Sequence, residues 1–171
     1  MPSIEAPNSD CWIIGYGNSH RQDDGIGPYV VDRLDKAVKH IKKIRTVTLH
    51  QLEPELIEDL QHANIIIFID ATQDVIDNGL EWINVKPEFR GTFHVTHHFN
   101  PSFLLGLIHS FYQTYPETWL VTIQGTNFDF GENLTFRAKK RACRATSEIL
   151  DFLDRHYCQT ESIFNHNTVG G

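Results

Sequence analysis

The sequence predicts an α/β fold, a three-layer α/β/α sandwich around a mostly parallel twisted sheet of the phosphorylase/hydrolase-like kind. Three observations carry that expectation. Strand and helix patterns alternate along the chain. The stretch 64–70, NIIIFID, sets five bulky apolar residues in a row, as in a strand of a parallel sheet buried on both faces. Polar clusters then recur just after strand ends, where open sheets of this type collect their ligands.

Residues 11–17, CWIIGYG, are a short apolar run closed by glycines and read as a buried first strand. Residues 25–40 carry Ile26, Val30, Val31, Leu34 and Val38 at helical spacing. Residues 45–50 alternate and are β-branched, which suggests a second strand. Residues 53–61 combine an early proline with acids and read as a helix. After the strand 64–70, weaker strands are expected at 80–85 and 92–95 around a turn at Lys86-Pro87. Residues 101–113 begin with proline and have an apolar helical face, 118–124 read as a last strand, and 135–157 as a long C-terminal helix.

A chain of 171 residues predicts one domain, placed at 11–158, with a flexible N-terminus over 1–10 and a disordered tail over 159–171. The net charge of −7 argues against nucleic acid and against an anionic membrane surface as partners. No apolar run is long enough for a transmembrane helix, and the N-terminus shows no signal-peptide pattern. Cys11, Cys143 and Cys158 are scattered and odd in number, forming neither a metal pattern nor a disulfide framework. Reduced thiols in a cytoplasmic protein fit best.

Three clusters could carry chemistry. The first runs from Gly15 through Asp23-Asp24 to Gly27. A glycine turn after a first strand suggests a dinucleotide site, but the third glycine is missing, since His20 stands there. The two acids would repel a phosphate and attract a cation. Either acid could instead cap the helix that follows. The second is Asp70, at the mouth of the strongest strand, either a turn acid or a ligand. The third is Thr96-His97-His98, before a proline-started helix, either loop residues or a source of imidazole. A histidine and two carboxylates together would suit a borderline divalent metal such as nickel or zinc.

With these residues in view, the chain resembles the hydrogenase maturation proteases, which process the large subunits of nickel-iron hydrogenases. The family pattern is an apolar strand, Gly-x-Gly-Asn, a short loop, Asp-Asp or Asp-Glu, and Gly-x-Gly. Here Gly15-Tyr16-Gly17-Asn18 is followed by Asp23-Asp24-Gly25-Ile26-Gly27. The likeness continues through Asp70-Ala71, the histidine segment, Thr118–Gln124 and the stretch Phe130-Gly131-Glu132-Asn133-Leu134, and covers roughly 11 to 155. One departure is His50-Gln51-Leu52-Glu53-Pro54, where many members carry Asp-Gly-Gly-Thr.

The resemblance implies an endopeptidase, aspartyl in type, that removes the C-terminal extension from the nickel-loaded precursor of a hydrogenase large subunit. Asp24 and Asp70 are implied as catalytic residues, and Asp24, Asp70 and His97 as nickel ligands. Family members place a leucine about eight residues after the ligand histidine. That step leads from His97 to Leu105 but from His98 to Gly106, so His98 is held as the alternative. Nickel arrives with the substrate, no organic cofactor is expected, and the chain is expected to be a monomer. The competing readings are a nickel-binding maturation chaperone without proteolysis and a Rossmann-type nucleotide-binding module.

Overall fold

The structure, a computed structural model, describes residues 10–88 and 99–157. The expected N-terminal segment up to residue 9, the strand at 92–95, His97, His98, Cys158 and the tail from 159 lie outside the described residues.

Five strands form one sheet, β1 (Cys11–Tyr16), β2 (Ile44–Leu49), β3 (Ile65–Thr72), β4 (Leu80–Asn84) and β5 (Glu117–Gln124). Their order is β2-β1-β3-β5-β4. All neighbouring pairs are parallel except β4 with β5, so the sheet is mostly parallel with one antiparallel edge. Four helices cover it, α1 (Ile26–Val38), α2 (Leu56–Leu60), α3 (Pro101–Tyr112) and α4 (Phe136–Tyr157).

The apolar run of β3 explains the three layers. Side chains alternate across a strand. Ile65, Ile67 and Ile69 join Ile13, Val121 and Ile123 in a core shared with α1 and α4. Ile66 and Phe68 join Trp12 and Ile14 in a second core with Leu104, Leu105 and Ile108 of α3 and Leu60 of α2. Helix α4 lays Ala138, Ala142 and Ala145 into the first core; small side chains let it approach closely. Helix α3 begins as its sequence suggests. The Asn100 side chain accepts a hydrogen bond from the Phe103 N–H at 2.8 Å, and Pro101 occupies the first helical position.

Two elements differ from expectation. The helix expected over 53–61 shrinks to Leu56–Leu60. The chain before it turns by three-residue-spaced bonds, Leu56 N–H to Glu53 O and Ile57 N–H to Pro54 O, a tighter 3-10 geometry that rarely propagates. The strand expected to close at Asp70 continues to Thr72, because β5 supplies partners in register as far as Gln124. A 3-10 turn at Asp77–Gly79 then leads into β4, with Asn78 and Gly79 both at positive φ. No helix among the described residues is long and apolar enough to cross a membrane.

Candidate active site at the carboxyl edge of the sheet

The glycine-framed loop leaves β1 and folds back over the sheet edge. The Gly17 N–H still pairs with the Leu49 carbonyl of β2 at 3.1 Å, after which the chain departs at φ 137°. A Cβ at Gly17 would lie 2.1 Å from the Asp24 carbonyl oxygen. A Cβ at Gly27 would lie 2.6 Å from the carbonyl oxygens of both Ile69 and Tyr16. Side chains at these two positions would lift the start of α1 off the ends of β1 and β3. The glycines therefore serve close packing that brings the loop's acids to the edge.

Residues Gln22–Gly25 form a 3-10 turn, and neither acid caps α1, whose cap residue is Gly25. The two neighbours have opposite environments. Asp23 is fully buried. One oxygen accepts from Thr135 N–H at 2.7 Å; the other accepts from the N–H groups of Thr126 and Asn127 and from the hydroxyls of Thr126 and Thr135. Burial alone would raise its pKa, but the combined hydrogen bonds from Thr126, Thr135 and Asn127 hold the carboxyl below the usual range. Asp23 thus ties the loop to the segment between β5 and α4. Asp24 is half-buried, and its Oδ2 accepts from the Asn18 N–H at 2.8 Å. Asn18 in turn folds the loop by accepting from the His20 N–H.

Asp70 stands on β3 facing the α2/α3 side, the same side as Phe68. Burial, and to a lesser degree the negative charge of Asp24, pushes its pKa up to about 6. The Tyr16 hydroxyl and the Ala71 N–H donate to it and act in the other direction. Asp24 and Asp70, far apart in the chain, are thus within electrostatic reach of one another. Burial, joined by the charge of Asp70, also makes the Tyr16 hydroxyl a much weaker acid than usual, so it stays a proton donor.

The sheet register extends this arrangement sideways. Gly15 pairs with Ile69, Asp70 with Thr122, and Thr122 with Glu81. Tyr16, Asp70, Thr122 and Glu81 therefore follow one another across four strands near the carboxyl edge. The Thr122 hydroxyl is buried there without a hydrogen-bond partner, and Thr122 and Glu81 line an open cavity of about 670 Å3 with the loop 74–78.

The structure thus brings together two of the residues singled out in the sequence, Asp24 and Asp70; His97 and His98 lie outside the described residues. Among the described residues, no group of three histidine, cysteine or carboxylate side chains is placed to hold a metal. The two carboxylates supply oxygen donors for a cation that brings other ligands with it, and a pair held in unequal surroundings suits acid/base work. The sequence reading missed Tyr16 and Thr122. Strand parity puts both on the face of Asp70 only once the strand order and register are known, since β1 and β5 flank β3.

The fold and this edge define an open α/β sheet protein with an acid pair at the carboxyl edge of its sheet. Its architecture is that of the hydrogenase maturation proteases, and the solved structures it is similar to support the resemblance carried by the glycine-acid motif. One is the NiFe hydrogenase maturation protease HycI from Thermococcus kodakarensis, 25% identical with a TM-score of 0.66, over 85% of this chain and 93% of that one. Another is the hydrogenase maturating endopeptidase HybD from E. coli, 16% identical with a TM-score of 0.67, over 86% and 93%. A third is the hydrogenase 2 maturation peptidase from a Thaumarchaeota archaeon, 20% identical with a TM-score of 0.61, over 84% and 97%. No protein-family model matches the chain, and no curated protein sequence does.

Proposed function

We propose that this protein is an endopeptidase that removes the C-terminal extension from the nickel-loaded precursor of a nickel-iron hydrogenase large subunit, acting in the cytoplasm as a monomer. The observation that carries the reading is the pairing of Asp24 with Asp70 at the carboxyl edge, on a fold shared with maturation proteases. The nickel belongs to the substrate and acts as a handle. Asp24, Asp70 and His97 complete its ligand set and so hold the scissile peptide beside the acids. His98 is the alternative third ligand.

The chemistry assigned to the chain is proton transfer. One oxygen of ionised Asp70 binds the nickel; the other takes a proton from a water as the water oxygen attacks the scissile carbonyl, the C–N bond breaks, and the proton is returned to the leaving amine nitrogen. Tyr16 holds the carboxylate in place through its hydroxyl. Burial, with a smaller contribution from the charge of Asp24, raises the affinity of Asp70 for a proton.

Incubating the purified protein with nickel-loaded and nickel-free precursor, and weighing the released peptide by mass spectrometry, tests the handle. Cleavage of the loaded form alone is expected. Equal rates on both would sink the handle, and tight nickel binding without any cleavage would favour the chaperone reading. The third ligand is separable by mutation. His97→Ala is expected to stop processing and His98→Ala to leave it within a few-fold; the reverse pattern in a precursor mobility-shift assay would move the ligand to His98.

A further inference from the structure

A candidate docking face lies along the helix that adjoins the acid pair. Helix α4 starts one residue after Thr135, which Asp23 binds, so its first turns flank the site. Arg137, Lys140, Arg141 and Arg144 follow at helical spacing on one side of α4 and line a cavity of about 500 Å3 together with Asn78. Four of the chain's 15 lysines and arginines are thereby gathered on two turns of a protein whose net charge is −7, which makes the stripe a local exception to the overall field.

The stripe is held in position. The Arg141 Nη1 donates to the Gln124 carbonyl at the end of β5 at 2.7 Å, and its side chain lies against Gly79. Arg144 pairs with Glu148 at 3.2 Å. Arg137 and Lys140 are exposed and have no ion-pair partner among the described residues. Phe136, next to Arg137 in the chain, is a large apolar side chain open to solvent at 82% exposure. Aromatic anchors flanked by arginine are what protein interfaces favour, with charge guiding approach and the rings supplying contact area.

We propose that this stripe of α4, with Phe136 at its site-proximal end, is the surface on which the substrate precursor docks, through an acidic, partly apolar face of that protein. The inference rests on the endopeptidase reading for the identity of the partner. Binding to the folded precursor places the scissile segment over the Asp24–Asp70 edge, and the anionic remainder of the enzyme surface disfavours other orientations.

The test uses the full chain and the nickel-loaded precursor, with binding read by calorimetry at low and high salt and cleavage read as KM and kcat. The double variant Arg137→Glu/Lys140→Glu is expected to weaken binding and raise KM by about tenfold or more at low salt, with kcat nearly unchanged. The conservative pair Arg137→Lys/Lys140→Arg is expected to behave as wild type, which separates charge from folding. Wild-type binding should weaken with salt, and that dependence should shrink in the charge-reversed variant. Unchanged binding and KM in the reversed variant would overturn the docking face while leaving the endopeptidase reading intact. Salt-dependent binding lost in the variant, with no cleavage by the wild type, supports the face and removes the protease. A wild type that neither binds nor cleaves the precursor overturns both.

Discussion

Replacing Asp70 with asparagine is expected to abolish processing and, at the same time, to make the protein more stable at pH 7. The carboxyl is pushed up to about 6, against an ordinary value of 3.8, by burial first and by Asp24 second. A folded-state value above the unfolded one means that the folded protein binds the proton more tightly. The stability linked to that proton is complete below the ordinary carboxylate range and is lost as pH rises through about 6. At pH 7 the ionised, half-buried carboxylate therefore costs about 3 kcal/mol on the scale of ~1.4 kcal/mol per unit. Asparagine has the same shape, cannot ionise, and can still accept from Tyr16. Urea unfolding at pH 7 should show the variant more stable by up to about 3 kcal/mol, with the gap closing near pH 4. A variant less stable than wild type at pH 7 would mean that Asp70 is a structural acid.

The same shift predicts the pH dependence of the reaction. In kcat/KM the free enzyme's groups are read, so wild-type kcat/KM should climb with pH through about 6 as Asp70 ionises. Asp24→Asn removes the nearby negative charge and should move that limb to lower pH in whatever activity remains. Retaining a group at a cost in stability is common where proton transfer or ligand binding needs it.

Much of this was legible in the chain, for reasons particular residues show. The five-residue apolar run of β3 allows no arrangement other than burial on both faces, and the structure divides it between two cores by parity. The glycine-acid loop was legible because its spacing encodes contacts. Gly17 and Gly27 stand where a Cβ would strike Asp24, Ile69 or Tyr16. The end of β3 was less legible, since the partner that extends it to Thr72 is β5, more than 40 residues later. Tyr16 was invisible as a site residue because nothing local marks it, and only the pairing of Gly15 with Ile69 sets it beside Asp70. The cationic stripe of α4 was not singled out from the sequence, and its neighbourhood to Asn78 and Gly79 comes from the turn before β4.

The adjacent acids Asp23 and Asp24 should give opposite phenotypes, and this contrast is the sharpest check on the geometry of the loop. Sequence offers no means of separating them, because either could have capped α1. In the fold Asp23 gathers three backbone N–H groups and two hydroxyls from Thr126, Asn127 and Thr135. Asp23→Ala strands those donors in a buried site, and loss of one member of such a charged network costs on the order of 3 kcal/mol or more. Because Asp23 is held below the usual carboxylate range, its contribution is present at neutral pH and lost as pH falls below that range. The expected result is a large drop in the urea midpoint at pH 7 that narrows in acid. Asp24 gives up only one hydrogen bond, from the Asn18 N–H, and asparagine can still accept it. Asp24→Asn should therefore unfold within about 1 kcal/mol of wild type, yet lose processing by several orders of magnitude, because it removes a charged donor from the handle. Folding loss at Asp24 with tolerance at Asp23 would exchange their roles and assign the substrate-facing part to Asp23.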